Sequence, residues 1–288
     1  MQELYRQYKG RMFNLAYQLT GSVADAEDVV QDVFLKAYQL PPEKLTVPGP
    51  YLYKMVTNRC RDLYKSARKK REEYFGEWLP EPLADADNDP ADSVARDERL
   101  SYAMLVLLER LTASERAVFV LREALGFDYG EIAGLMDKSE VNCRKLFSRA
   151  RGKLGLDAEA PPLQAPSASE EWVDGFVAAL RQGNMSRLLS MLDPDVVLLP
   201  DGGGKVQAAV NPIHTAERVA KFLMGVIRKT ATFEGEADVR MERINGEPGM
   251  ILRSEDGVVH TAALFRVEGG LIRSLYILRN PDKLKSLK

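Results

Sequence analysis

The sequence predicts a multidomain chain: two all-α modules, then an α+β domain in which helices cover one face of a curved antiparallel sheet. Three observations carry this. Up to about residue 156 the apolar residues recur at helical spacing behind capping signals. Beyond about residue 190, short apolar and β-branched runs are punctuated by Asn245-Gly246, Asp256-Gly257 and Gly269-Gly270, each a hairpin signal. Two stretches suit neither element: the acidic run 81–98 and the Pro/Ser/Ala-rich run 161–169.

The first helix is predicted over 2–20, with Leu4, Tyr8, Met12, Leu15 and Leu19 on one side and Gly21 ending it. Ser22 opens a second helix in which Ala26, Val29, Val30, Val33, Phe34 and Ala37 turn inward. Its first turns carry Asp25, Glu27 and Asp28, where the helix dipole favours anions. After Pro41 and Pro42, a third helix over about 50–71 buries Leu52, Met55, Val56, Cys60 and Leu63. Its other side carries Asn58, Arg59, Arg61, Lys65 and Arg68, with Tyr51, Tyr53 and Tyr64 nearby. Cations interleaved with aromatics can hold an unpaired strand, because phosphates meet the charges and splayed bases stack on the rings. A run of Lys and Arg also fits a solvated face.

Further on, Thr112 and Glu115 have capping-box spacing ahead of Val118, Phe119, Leu121 and Leu125. Asp128 and Glu131 repeat that spacing ahead of Ile132, Leu135 and Met136. Asp137-Lys138 then makes a tight connection into 139–153, capped by Ser139, with Val141, Leu146 and Leu154 inward. Arg144, Lys145, Arg149, Arg151 and Lys153 project outward, which suits a helix lying in a phosphate-lined groove. Helices joined by a short turn, the last one basic, read as a helix-turn-helix; an ordinary bundle shares the periodicity. In the last part, two helices are predicted within 169–191 and one over 214–229. Strands are predicted over 195–200, 233–243, 249–254, 258–268 and 271–278, forming a cone around a central cavity.

Composition narrows the function. The 288 residues suffice for two or three domains, but the net charge is only −2, so nucleic-acid contact requires charge segregation. Residues 59–71 hold seven cations against Asp62, and residues 81–98 hold seven acids against Arg96. The two cysteines, Cys60 and Cys143, stand apart from any Cys/His cluster, which argues against a disulfide scaffold or a zinc site and for a reducing cytoplasm. No cofactor, metal or membrane partner is expected, since no apolar run has spanning length and no signal-peptide core is present.

Residues 25–35 (Asp-Ala-Glu-Asp-Val-Val-Gln-Asp-Val-Phe-Leu), 51–62 (Tyr-Leu-Tyr-Lys-Met-Val-Thr-Asn-Arg-Cys-Arg-Asp) and 149–154 (Arg-Ala-Arg-Gly-Lys-Leu) resemble extracytoplasmic-function (ECF) sigma factors of bacterial RNA polymerase. The resemblance covers about 1–156. It implies a region 2-like module (1–75), an acidic linker (76–100), a region 4-like module (101–157) and a second linker (158–168) before the last domain (169–288). By resemblance, Asp25, Glu27, Asp28, Gln31, Asp32 and Phe34 would dock on core polymerase. Asn58, Arg59, Arg61, Asp62, Lys65 and Arg68 would hold the melted −10 promoter element. Ser139, Glu140, Asn142, Arg144, Lys145, Ser148 and Arg149 would read the −35 element as duplex. The acidic linker would stay extended between the modules.

The last domain resembles the SnoaL-like branch of the nuclear-transport-factor-2-like (NTF2-like) fold. Asp-Gly-Gly-Gly-Lys (201–205), Asn-Pro-Asp-Lys-Leu (280–284) and Trp-Leu-Pro-Glu-Pro (78–82) resemble an ECF subgroup that carries such a domain in place of a separate anti-sigma protein. This implies autoregulation through Trp78, Asp201, Gly202, Gly203, Gly204, Lys205, Asn280, Pro281, Asp282 and Lys283, with Lys205 pairing an acidic linker residue. No obligatory anti-sigma partner is then expected, and the cavity could take a small-molecule ligand. The chain reads as a sigma factor rather than an enzyme. Two alternatives are a helix-turn-helix regulator with a ligand-sensing SnoaL-like domain, and an enzyme using Asp201 and His214 as an acid/base pair.

Overall fold

A computed structural model describes residues 2–41, 46–84, 100–156, 169–230 and 238–287. They fall into two compact units. The first holds Met1–Glu72, Ala86–Leu100 and Met104–Leu163; the second holds Glu73–Asp85, Ser101–Ala103 and Gln164–Lys288.

Helix starts in the first unit are set by side-chain caps. α1 (Gln2–Thr20) is followed by α2 (Val23–Tyr38), where the Ser22 hydroxyl accepts from the Asp25 N–H at 3.2 Å. With α3 (Pro48–Glu72) they enclose Met12, Leu15, Leu19, Val29, Val33, Leu52 and Val56, all buried. Burial of each such side chain contributes about 1.5–3 kcal/mol. Next come α4 (Tyr102–Leu108), whose first two residues belong to the second unit, and α5 (Ala113–Glu123), then α6 (Tyr129–Met136) and α7 (Glu140–Leu154). Thr112 with Glu115 and Asp128 with Glu131 form complete capping boxes, and Ser139 accepts from the Asn142 N–H. Asp137 takes the left-handed conformation (φ 52°) that makes the tight turn between α6 and α7.

α4 has no counterpart in the sequence reading. Its Tyr-Ala-Met-Leu-Val-Leu-Leu is apolar all round, so no period marks it, and Met104, Leu105 and Leu108 are buried. The helix-turn-helix packs against α1 and α3 through polar contacts as well as apolar ones. Arg116, wholly buried, donates to the Gln18 carbonyl at 2.9 Å and to Glu109. Arg71 meets the same carboxylate, and Lys54 pairs with Asp137. Two of the three tyrosines read as base-stacking rings are used here instead. Tyr53 is buried edge-on against Phe127 at 5.2 Å, and the Tyr64 hydroxyl donates to the Leu111 carbonyl at 2.7 Å.

In the second unit, α8 (Glu170–Arg181), α9 (Met185–Ser190) and α10 (Ala216–Thr230) accompany six strands. These are β1 (Leu192–Asp201), β2 (Ile213–His214), β3 (Asp238–Ile244), β4 (Glu247–Arg253), β5 (Val259–Glu268) and β6 (Leu271–Leu278), ordered β2-β1-β6-β5-β4-β3. The sheet is mixed rather than purely antiparallel. β1 runs parallel to β6, because the chain returns to its side only after α10 and the β3–β6 meander. All three glycine-bearing hairpin turns are present, with positive φ at Asn245, Gly246, Gly257, Gly269 and Gly270. β3 begins at Asp238; residues 233–237 of the expected strand lie outside the described residues.

The helices fill the concave face. Val173, Phe176, Leu180, Val219 and Leu223 pack with Val196, Leu198, Ala263, Phe265 and Leu275, and the Phe176 and Phe265 rings meet edge to face at 5.4 Å. By the two-residue period of a strand, Ala262, Leu264 and Tyr276 point to the opposite face. They are buried as well, and the Tyr102 ring lies edge-on against Tyr276 at 5.4 Å. Residues 81–84, expected to be part of an extended tether, adhere to the sheet: Ala84 bridges Ile244, and Leu83 exchanges two hydrogen bonds with Asn245. Residues 85–99 of that acidic segment lie outside the described residues.

The Glu247 carboxylate accepts from the Tyr102 N–H at 3.2 Å, with Arg243 as its charged neighbour. Burial raises its pKa from 4.5 to about 7. Between those values the folded chain keeps a proton that the unfolded chain releases. The resulting stabilisation is full below about 4.5 and is lost as pH rises through about 7. Glu247→Gln should therefore flatten the fall in melting temperature between pH 5 and 7.5; parallel melting curves for the two proteins across that range would refute the assignment.

Candidate nucleic-acid interface and the linker clasp

α7 is anchored by Cys143, Ala150 and Leu154, which are buried, while Ser139, Glu140, Asn142, Arg144, Lys145, Ser148 and Arg149 are exposed or partly so. All seven residues named for duplex contact thus share one open surface. Val141, expected to face inward, is 63 % exposed, because the side of α7 packed on α5 and α6 runs through Cys143 and Ala150 instead. Arg144 is held in place: its guanidinium lies 4.5 Å from the centre of the Tyr129 ring and donates to Glu140 at 3.2 Å. The same ring carries Arg122 at 5.0 Å. Such stacking and pairing orient a long side chain that would otherwise sample many rotamers. Tyr129 lies outside the residues that the sequence marked, since only the fold brings the start of α6 beside α7.

On α3, Arg59 pairs with Asp32 of α2 at 3.0 Å, and Arg61 donates to the Asn58 side chain at 3.3 Å. Asp62 is exposed; the side chains of Lys65 and Arg68 lie outside the described residues. The Arg59–Asp32 pair joins one residue named for the −10 element to one named for polymerase docking. On α2, Glu27, Asp28 and Gln31 are exposed, and Asp25 and Asp32 are half-buried. Phe34 is only 8 % exposed and sits edge-on to Tyr5 at 4.9 Å, so it lines the floor of this surface rather than projecting from it. Leu35 and Tyr38, not anticipated from the helical pattern, stand open beside it.

The second unit contains a buried clasp around linker residues 74–83. Asp201, at the end of β1, accepts from the Tyr74 hydroxyl at 2.6 Å, the Leu79 N–H at 2.9 Å and Lys283 at 2.7 Å. The Lys283 ammonium also donates to the Leu79 carbonyl at 2.6 Å and lies 4.1 Å from the Trp78 ring centre. Asn280 donates to the Tyr74 hydroxyl at 2.7 Å. Burial, with Asp201 alongside, pushes the Tyr74 pKa above its ordinary value. Gly203 has φ 58°, and a Cβ there would meet the Tyr74 hydroxyl at 2.8 Å, so only glycine fits at this close approach. Gly202 and Gly204 are similarly pressed, by Ala208 and by Phe75.

Among the described residues Lys205 pairs with Asp282 across the clasp rim, and that contact holds the Asp282 carboxyl below the usual carboxylate range. The acids at 85–98, among which its linker partner was expected, lie outside the described residues. Pro281 is exposed beside the pair. Asp201 and His214 are not an acid/base pair: both Asp201 oxygens serve the clasp, and His214 lies exposed on β2. Among the described residues no group of three or more His, Cys, Asp or Glu is placed to hold a metal, and no helix is long and apolar enough to cross a membrane.

Lys283→Met strands Asp201 as an uncompensated buried anion and should cost about 3–5 kcal/mol in denaturant unfolding of the second unit. Adding Asp201→Asn should recover part of that loss, and strictly additive losses would show that the pair does not act as one.

Residues 4–70 match the family described as sigma-70 region 2, and residues 101–154 match sigma-70 region 4. The chain is 32% identical over 281 residues to the ECF RNA polymerase sigma factor SigJ of Mycobacterium tuberculosis, covering 94% of this chain and 89% of that protein. It is 28% identical to the probable ECF RNA polymerase sigma factor SigI of the same organism, over 99% of this chain and 94% of the relative. The crystal structure of SigJ matches with a TM-score of 0.79 at 29% identity, covering 99% of both chains. With both sigma modules in order and the cone domain matched alongside them, the chain belongs to the extracytoplasmic-function family of RNA polymerase sigma factors.

Proposed function

We propose that this sigma factor binds core RNA polymerase through the open face of α2, holds the melted −10 element on α3 and reads the −35 duplex with α7. Its C-terminal SnoaL-like cone regulates it by gripping the linker between the two modules. The observation that carries the promoter reading is the surface of α7: seven polar residues, three of them cationic, displayed on a helix capped at the end that meets base edges. Asp25, Glu27, Asp28, Gln31 and Asp32 supply the acidic docking surface, with Phe34 beneath it. Asn58, Arg59, Arg61, Asp62, Lys65 and Arg68 supply the strand-binding surface.

Regulation rests on the clasp. Trp78 and its neighbours are held by Asp201, Asn280 and Lys283, so the length of free linker between the modules depends on whether the cone grips it. The fused domain thereby takes the place of a separate anti-sigma protein.

In vitro transcription with core polymerase tests both parts. Arg149→Ala should weaken binding to the upstream element by about 1–3 kcal/mol, the worth of one base-edge interaction; an unchanged footprint removes it from the interface. Asn280→Ala loosens the clasp while leaving the charged pair intact, and should change transcript yield without altering the unfolding of the first unit. Equal yields would count against regulation by the clasp, and no specific transcript from the unaltered protein on any promoter would sink the whole reading.

A further inference from the structure

Among the described residues of α7, Val141 is the large apolar side chain left uncovered, at 63 % exposure. Single apolar residues on a protein surface are ordinary. This one is singled out by where it stands. It lies in the first turn after the Ser139 cap, in line with Arg144, Lys145 and Ser148 at the i+3, i+4 and i+7 positions. Each of these is polar and open to solvent at least in part. Valine is also a mediocre helix former, so an open helix position gains nothing from it through propensity. What such a side chain can recognise follows from the groove itself: the floor of the major groove offers one apolar feature, the C5 methyl of thymine.

We infer that Val141 is a specificity-determining residue that packs on a thymine methyl in the duplex upstream element. The inference rests on the reading of α7 as the −35 helix. Its flanking residues divide the work. Arg144, oriented by Tyr129, is suited to an acceptor-bearing purine edge, and Val141 supplies apolar contact one turn earlier. Withdrawing one methyl from water corresponds to about a fourfold change in affinity.

Selection from a duplex library randomised over ten base pairs upstream of a fixed −10 element tests this, using the full-length chain bound to core polymerase. One library is synthesised with thymine and the other with uracil, which lacks only the methyl. The wild-type protein should enrich thymine at one position in the first library and show about a fourfold weaker preference there in the second. Val141→Ser should give the weak preference in both libraries while keeping the preferences at other positions, which also shows that it folds. Identical wild-type profiles from the two libraries, or a Val141→Ser profile that still distinguishes them, overturns the assignment. Failure of the wild-type protein to enrich any sequence overturns the promoter reading, and this inference with it.

Discussion

The second unit depends on a pair of charges that have almost no access to water. Asp201 and Lys283 attract each other strongly where the dielectric is low, but removing both from solvent costs more than their mutual attraction returns unless the remaining lone pairs and protons are also used. The linker backbone supplies what is missing, since Leu79 offers its N–H to the carboxylate and its carbonyl to the ammonium. The chain joining the sigma modules is therefore an integral part of the cone's polar interior.

In the first unit the cations are divided between two uses. Arg71, Arg116 and Lys54 are drawn into contacts with Glu109 and Asp137 that hold the helix-turn-helix on the N-terminal helices. On the open side of α7 the ion pair between Arg144 and Glu140 is local and exposed, and such a pair is weak enough to yield to a phosphate or a base edge. The basic character of α7 in the sequence overstates the charge it offers to nucleic acid: Arg151 pairs with Glu123 and Lys153 with the buried Glu115, while Arg144, Lys145 and Arg149 stay open.

What the sequence makes legible here is local. Capping boxes at Thr112 and Asp128, the Ser139 cap and the three glycine-bearing turns each depend on residues within a few positions of one another, and all appear as read. The glycine triplet was legible as a segment of left-handed backbone for the same reason, and Gly203 and Gly204 both have positive φ. Contacts made across long stretches of chain were not. The partner of Lys205, the parallel pairing of β1 with β6 and the adhesion of residues 81–84 to β3 follow from topology. Nor could periodicity fix the orientation of Val141. In a helix packed on one side by Cys143 and Ala150, a modest rotation about its axis turns a boundary residue outward.

The linker and its grip are widely separated in sequence: Asp201 follows Leu79 by 122 positions, and Lys283 follows it by 204. A ribosome adding about 5–20 residues per second therefore finishes the grip roughly ten to forty seconds after the Trp-Leu-Pro-Glu-Pro segment has been made. For more than half of that interval both promoter-reading modules are already synthesised and the strap between them is unclaimed. Each newborn molecule passes through an ungripped period before its own tail closes over the strap.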